Sequence, residues 1–231
     1  MNLAHRRDRF SADAWRILNR FTQQLSAEPH DEPVRSENTR GLLDDAVVML
    51  SAFSGLAAES MTRGDGWRFL EIGRRLERAL QVIELLRHGI VPGPNRPAAL
   101  QTLLEIADSS LTYRSRYLTS MQADLVVDLL LLDEANPRSA AFQLARLDEH
   151  IAQLPRKRDE DRRSREMRII LRLLSAVQLA DASELVRVED DGPAQGLDGA
   201  LGGLASGLRT LSEAIARSYF DHLAPHQLPS H

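Results

Sequence analysis

The residues best suited to chemistry in this sequence are glutamates and arginines crowded into one helical pattern. Glu71, Arg75 and Arg78 recur at helical spacing and share one face. Arginine binds carboxylates and phosphates through paired hydrogen bonds, so this face could clamp an anion such as a phosphate or a peptide carboxylate. The same residues could instead form a buried network that fixes neighbouring helices. The full candidate set for a polar cluster or anion-binding site is Glu59, Arg63, Glu71, Arg74, Arg75, Glu77, Arg78, Tyr113, Arg114 and Asp128.

Two later groups could extend this cluster. Tyr113 and Arg114 lie near Arg116 and Tyr117, but Arg114 and Arg116 cannot share one helix face. An inward Arg114 would complete the cluster, whereas we expect Arg116 to be solvated or at an interface. Asp128 interrupts the apolar run 125–132, so we expect a buried carboxylate that needs an arginine partner. Arg138 belongs to the same candidate group as Asp128, and Asp133 and Asn136 in that group are read as cap and turn residues.

Composition excludes several other chemistries. The 231 residues contain no Cys and carry a formal net charge of -4, which argues against thiolate chemistry and against nucleic-acid binding. Lys157 is the only lysine, so Schiff-base chemistry is close to excluded. Pro225 separates His222 from His226, and no carboxylate motif completes a zinc site there. We expect no metal, no cofactor, no membrane span and a cytoplasmic location.

The elements that must position these residues are helices. A Gly64-Asp65-Gly66 turn, predicted to use positive φ, feeds a helix that starts near Trp67 and ends near a Gly89 cap. Its apolar stripe is Phe69, Ile72, Leu76, Ala79, Ile83 and Leu86. The preceding helix, about 39–61, is expected to bury Leu43, Val47, Leu50, Phe53, Ala57 and Met61.

The rest of the chain is also helical by pattern. We predict an all-α fold, an antiparallel bundle of about seven to eight helices in a single domain over 1–231, with a proline-rich internal loop at 90–97. The remaining helices are predicted at 12–25, 98–119, 122–132, from Asn136-Pro137 to 154, 159–185, and over a final seam of leucines from Leu197 to Ile215. Four glycines in that last helix, Gly199, Gly202, Gly203 and Gly207, suggest close helix approach.

Three blocks of sequence resemble the bacterial Alpha-E family. The first, Met61 to Ala79, is similar to its glutamate-arginine motif, and the blocks Asp108 to Tyr117 and Val127 to Gln143 follow in the family's order. Family members begin with an aromatic-rich helix that carries an earlier arginine and a Glu-Arg-Ala motif. Met1 to Phe10 does not supply it, so we expect this domain to be shortened at its N-terminus.

The resemblance implies a helical domain that is fused to, or encoded beside, a circularly permuted ATP-grasp protein of the amide-forming ligase type. Transglutaminase-like or proteasome-like proteins often lie nearby. The leading hypothesis is therefore a non-catalytic accessory domain that orients a peptide-like acceptor, through Arg63, Arg75 and Arg78, while the partner uses ATP and magnesium to activate a carboxylate.

Two alternatives stay open. One is a stand-alone enzyme on amides or peptides, with Glu77 as general base and arginines that hold the substrate carboxylate. The other is a structural remnant, which would self-associate through an apolar groove left uncovered by the missing helix.

Overall fold

The computed structural model describes residues 11–26, 36–93, 96–155, 164–188 and 193–220. Over these residues the fold is all-α, as predicted, with ten α-helices and one π-helical segment at Asp128–Leu132. The α-helices are α1 (Ala12–Ser26), α2 (Ser36–Ser60), α3 (Asp65–Gly89), α4 (Pro97–Ile106), α5 (Ser110–Tyr117), α6 (Ala123–Val127), α7 (Ala140–Ala152), α8 (Arg165–Gln178), α9 (Ala182–Leu185) and α10 (Gln195–Tyr219). The sequence before Ser11 and the pair His222 and His226 lie outside the described residues.

The chain forms two compact units, Met1–Trp67 and Arg68–His231. In the first unit α1 packs against α2, and Ala14 and Ala57 are buried. The expected buried face of α2 is mostly wrong, because Leu43, Val47 and Leu50 are exposed and only Ala57 is fully covered. The helical spacing of these residues places them on one face of α2, but it could not show whether another element covers that face.

The exposed apolar character of α2 has a second consequence. Among the described residues, Thr39–Ser60 is the one stretch long and apolar enough to cross a bilayer by length and composition. The core helix of a soluble protein can pass the same test. The apolar run 125–132 differs from α2, because Leu129, Leu130 and Leu131 in that run are buried in the second unit.

The glycine turn before α3 differs from its prediction. Neither Gly64 nor Gly66 has a positive φ, and α3 already starts at Asp65, so Gly66 is helical. Asp65 sits in the first turn, where a carboxylate interacts favourably with the helix dipole. At the other end of α3, a Cβ on Gly89 would lie 2.5 Å from Leu103 Cδ1 of α4. Gly89 therefore allows close approach between α3 and α4, a role beyond ending the helix.

The core of the second unit is built from the predicted apolar stripes. The α3 residues Ile72, Leu76, Ala79, Ile83 and Leu86 are buried, as is the whole α10 seam. That seam is Leu197, Leu201, Leu204, Leu208, Leu211 and Ile215. α10 packs against α8, and α8 packs against α7. These three helices and α3 form the frame that carries the polar residues described below.

Only one of the four α10 glycines is explained by close approach. A Cβ on Gly207 would collide with Leu173 Cδ2 of α8. Gly199, Gly202 and Gly203 have no atom within 4 Å of the corresponding position. The prediction is therefore correct for Gly207 and wrong for the other three.

Two predicted helices are divided, which raises the helix count above the expected seven to eight. The predicted 98–119 helix breaks where Asp108 takes a φ of 50°, in the left-handed region that interrupts α-helix. The predicted 159–185 helix ends at Gln178, and Asp181 then caps the short α9 by accepting from Ser183 N and Glu184 N. In both places a local polar residue, and not the apolar periodicity, determines where the helix is interrupted.

The predicted start of α7 at Asn136-Pro137 is also wrong. Asn136 is buried, donates through Nδ2 to Leu129 O at 2.9 Å, and accepts from Arg138 N at 3.0 Å. It therefore closes a turn. Ser139 is the actual N-cap, since its Oγ accepts from Phe142 N at 3.0 Å. This turn fixes Pro137 and Arg138 beside α3, where they line the cleft described next.

Candidate functional site

The centre of the site is a buried carboxylate held by two guanidinium groups on its own helix. Glu71 is only 6% exposed although it is charged. Its Oε1 accepts from Arg74 Nη1 and its Oε2 from Arg75 Nη2, each at 2.8 Å. The spacings are i, i+3 and i, i+4, so one turn of α3 supplies both partners. A buried carboxylate is tolerated because both of its oxygens are paired.

Gln143 of α7 ties this cluster to the turn before α7. It is 1% exposed, accepts from Arg75 Nη1 at 3.3 Å, and donates through Nε2 to Pro137 O at 2.5 Å. Arg75 Nε is buried and has no acceptor within the described part of the chain. The cluster is thus richer in hydrogen-bond donors than in acceptors, which favours binding of an additional oxygen ligand or water.

Arg78 extends the positive charge beyond the paired residues. It lies on the exposed side of α3 and makes no hydrogen bond or ion pair with any described residue. Burial lowers the pKa of Arg78, and the nearby charges of Arg74 and Arg75 lower it further. Arg138 adds to the same effect, and Glu71 opposes it. Arginine stays protonated at neutral pH, so this lowered pKa indicates a positive potential around Arg78 that would attract an anion.

An open cleft of about 880 Å³ begins at this charge. α3 forms one wall, and the end of α4 together with the turn before α7 forms the rest. Volumes of this size are typical of sites for small ligands. Its lining includes Arg78, Val82, Leu85, Ile106, Arg138 and Gln143. The cleft thus combines a cationic end with an apolar wall.

Most other charges at the cleft are already compensated. Arg138 Nη2 pairs with Asp108 Oδ2 at 2.7 Å, where both side chains are largely exposed. Glu84 accepts from Arg209 of α10 at 3.1 Å. Such exposed pairs add little stability, but they leave Arg78 as the uncompensated charge of the lining.

The charges of the same cluster also act on His150 of α7. Burial lowers the pKa of His150, and the charges of Arg75 and Arg68 lower it further, while Glu71 and Glu149 act in the opposite direction. His150 is therefore held in the neutral form more strongly than an exposed histidine. Arg68 itself donates to Gln153 Oε1 at 3.2 Å.

The comparison with family models then decides what kind of domain carries this site. The Alpha-E model, described as a predicted alpha-helical domain with a conserved ER motif, matches residues 1–220. The chain belongs to the Alpha-E family. The glutamate-arginine pairing of α3 described above lies within the block that carried the resemblance.

Among relatives, three uncharacterized mycobacterial proteins are similar to this Alpha-E domain. One is from Mycobacterium bovis and two are from strains of Mycobacterium tuberculosis; each is 29% identical over 216 residues. The match covers 90% of this chain but 24% of each relative, so the chain spans about a quarter of their length. No solved structure shows significant similarity.

The remaining predicted site residues of the first block are Glu59, Arg63 and Glu77. Arg63 donates to Ala58 O at 2.6 Å, and its guanidinium carbon lies 4.5 Å from the ring centre of Trp67. Glu59 and Glu77 are exposed and make no hydrogen bond with the described residues. Glu77, the candidate general base, does not line the cleft.

The residues of the second and third blocks form a different network in the Alpha-E fold. Tyr113 is buried, donates to Ser120 O at 3.0 Å, and accepts from Gln122 N at 3.1 Å. Asp128 accepts from Tyr117 Oη at 2.6 Å, so its partner is a tyrosine and the expected arginine is wrong. Burial raises the pKa of Tyr117, and the hydrogen bond to Asp128 raises it further.

The two arginines beside that network are both exposed. Arg116 is solvated, as expected, and also forms an ion pair with Asp133. Arg114 is exposed and makes no hydrogen bond or ion pair with the described residues. No bond therefore joins Tyr113, Arg114 or Asp128 to the cluster at Glu71. One network joins α5 to the π-helical segment, and the other reaches the cleft through Gln143.

The sequence did not identify Gln143 and His150 as members of the site, and it grouped Arg138 with Asp128 instead of with the arginines of α3. Gln143 had a detectable signal, because it falls on the buried face of α7 that Ala140 and Leu147 define at helical spacing. A polar residue on such a face requires a partner. Arg138 had no such signal, since its place at the cleft depends on the turn that Asn136 forms.

Proposed function

We propose that this Alpha-E domain is a non-catalytic accessory domain or subunit of a circularly permuted ATP-grasp ligase that forms amide bonds. In this proposal it holds an anionic, peptide-like acceptor. The observation that carries the proposal is Arg78, an uncompensated guanidinium at the end of an open cleft. Guanidinium groups recognise carboxylates through two parallel hydrogen bonds, which fixes both position and orientation.

The lengths of the relatives support an accessory role. The mycobacterial relatives devote about three quarters of their sequence to something outside this match. A domain that occurs within a much larger protein is suited to act on what a neighbouring domain binds. The ATP-grasp partner itself comes from the family resemblance, and its presence beside this chain is part of the proposal.

The division of labour follows from the chemistry. The ligase would bind ATP and magnesium and convert a carboxylate into an acyl phosphate. An amine of the acceptor would displace phosphate to form the amide. The Alpha-E domain would contribute by holding the acceptor close to that centre, which lowers the entropic cost of bringing two reactants together. Glu77 lies outside the cleft, so the geometry favours this role over a stand-alone enzyme with Glu77 as base. The cysteine-free composition suits a reducing cytoplasm, where we place the reaction.

A reconstituted ligation assay tests the proposal. The ATP-grasp protein from the same genome is supplied with ATP, magnesium and a library of short peptide acceptors, with and without this chain. We expect the chain to raise the rate of ADP release that depends on the acceptor, and to have no such activity alone. An Arg78→Gln variant should reduce that increase at least about tenfold, the loss of one charge-assisted pair.

Arg114→Gln is the matched control. Arg114 is also an exposed arginine without a bonded partner among the described residues, but it does not line the cleft. It should leave the rate increase unchanged. A chain that does not change the ligase rate with any acceptor would contradict the proposal, and so would equal effects of the two variants.

A further inference from the structure

The shape and polarity of the cleft specify more than an anion. We propose that it binds the free C-terminal carboxylate of a peptide whose last residues are apolar. The carboxylate would lie on Arg78, and the preceding residues would follow α3 toward His88. This inference rests on the proposed function, since it names the acceptor's chemistry and the end by which it is held.

The position of the carboxylate follows from where charge is left uncompensated. Arg78 has no acidic partner among the described residues, while Arg138 beside it is already paired with Asp108. Glu84 and His88 lie at the opposite end of the lining. Glu84 already accepts from Arg209, so that end of the lining presents a paired carboxylate and no unpaired guanidinium. The two ends of the lining therefore differ in charge, and a carboxylate would bind at the cationic end, on Arg78.

The apolar character of the ligand follows from the walls. Val82 and Leu85 of α3 are half-buried and line the cleft beyond Arg78. Ile106 at the end of α4 lines it from the other side and is 67% exposed. An isoleucine exposed in a concave surface gains free energy when a ligand removes it from water, in proportion to the apolar area covered. A purely ionic ligand such as phosphate would leave this wall in water.

The length and the polar residues favour a peptide over a hydrocarbon chain. Arg78 and His88 are ten residues apart on one helix, about 15 Å along its axis. An extended peptide covers about 3.5 Å per residue, so about four residues fit. Gln81 lines the same wall between apolar residues and makes no bond with the described residues. Its amide can both donate to and accept from a peptide bond, which an acyl chain does not offer.

The open form of the cleft leaves the rest of such a peptide free. A ligand held by its C-terminus would project its N-terminal part out of the cleft. Its amine or a side-chain amine then stays accessible to an acyl phosphate on the ligase. Capture by the carboxylate therefore fits an acceptor, whereas capture by the amine would block amide formation.

Fluorescence anisotropy with the full chain tests this inference without any ligase. The probe is fluorescein attached to the N-terminus of Gly-Gly-Ala-Leu-Ala-Leu with a free C-terminal carboxylate. The competing ligands are the same unlabelled peptide, its C-terminal amide, the peptide Gly-Gly-Ala-Gly-Ala-Gly, and decanoate. We expect saturable binding of the probe, displacement by the free acid, and at least about tenfold weaker displacement by the amide.

Variants assign the two halves of the ligand. Arg78→Gln should weaken binding of the free acid at least about tenfold and remove its advantage over the amide. Ile106→Ser should weaken binding of the leucine peptide several-fold and leave the glycine peptide unchanged. Arg114→Gln should change neither. All three residues are exposed, so folding should persist, and circular dichroism with thermal unfolding would verify it. Arg78→Lys serves as the second variant, since it keeps the charge and loses the paired hydrogen bonds.

Each other outcome overturns the inference. Equal displacement by acid and amide would show that the site does not recognise the carboxylate. Displacement by decanoate as strong as by the peptide would show that the ligand is an acyl chain and not a peptide. The absence of saturable binding would refute the ligand altogether. If the ligase rate still rises with this chain while no peptide binds, the accessory role stands and the peptide assignment fails. If peptides bind and the ligase rate does not change, the peptide assignment stands and the accessory role fails.

Discussion

Arg75 spans the distance between Glu71 on its own helix and Gln143 on α7, with Nη2 on one and Nη1 on the other. The pair Arg75 and Gln143 thereby joins two elements that are 68 residues apart in sequence. Gln143 in turn holds Pro137 O, and Pro137 and Arg138 line the cleft. The buried charges of α3 are therefore connected through Gln143 to the turn that lines the cleft.

We predict that Glu71→Ala destabilises the fold by about 2 to 3 kcal/mol, because two guanidinium groups lose a buried acceptor at once. Both arginines keep some contact with water, which limits the loss. Urea unfolding at neutral pH measures it. Glu77→Ala, on the same helix but exposed, should change the free energy of unfolding by less than about 0.5 kcal/mol. Similar losses in both variants would show that Glu71 is not the centre of a buried pairing.

Stability should fall as pH drops from 7.5 to 5.5, in part because of His150. Its pKa in the folded state lies below the ordinary value of 6.5. The unfolded chain therefore binds more protons just below pH 6.5, and acid shifts the equilibrium toward it until the pH passes the folded pKa. His150→Gln should flatten the thermal midpoint against pH over this window. An unchanged slope in the variant would assign the effect to other histidines.

Substitutions of two α10 glycines should have opposite signs. Gly203→Ala adds a methyl group into open space in a helix interior, so it should stabilise the fold by about 0.5 to 1 kcal/mol. Gly207→Ala places the methyl group against Leu173, so it should be at least about 1 kcal/mol less favourable than Gly203→Ala. Chemical denaturation of both variants checks this. Equal gains would mean that α8 and α10 can separate without cost.

The break between α4 and α5 should depend on backbone conformation at Asp108. Asp108→Ala retains a φ of 50° that alanine disfavours, so it should cost about 1 kcal/mol, whereas Asp108→Gly should be close to neutral. Both variants lose the exposed pair with Arg138, so this difference isolates the backbone. Thermal unfolding of the two proteins measures it, and a more stable alanine variant would contradict the assignment.

The predictable parts of this molecule are those that depend on local periodicity. The predicted stripes of α3 and α10 were correct because burial of an apolar face repeats at helical spacing. The break at Asp108 was missed because it depends on a left-handed backbone conformation that periodicity does not encode. The start of α7 was misplaced because the side chain of Asn136 bonds to the backbone of Leu129 and closes a turn.

The site was half predictable for the same reason. Glu71, Arg74 and Arg75 meet within one helix turn, so spacing alone brings them together. Asp128 accepts a hydrogen bond from Tyr117 because the π-helical segment lies beside α5 at this point. No local sequence pattern encodes that arrangement. Ile106 reaches the cleft from the end of α4 and Arg138 from the turn before α7, and only the three-dimensional arrangement brings them together.

The most direct measurement of the central claim is the mass of the complex that this chain forms with the ATP-grasp protein of the same genome. The two proteins would be co-expressed, purified through a tag on the ligase and analysed by size-exclusion chromatography with light scattering. We expect a stoichiometric complex that persists in the Arg78→Gln variant, because Arg78 binds the acceptor and does not contribute to the interface. Elution as two separate species, in the presence of ATP, magnesium and a peptide acceptor, would contradict it.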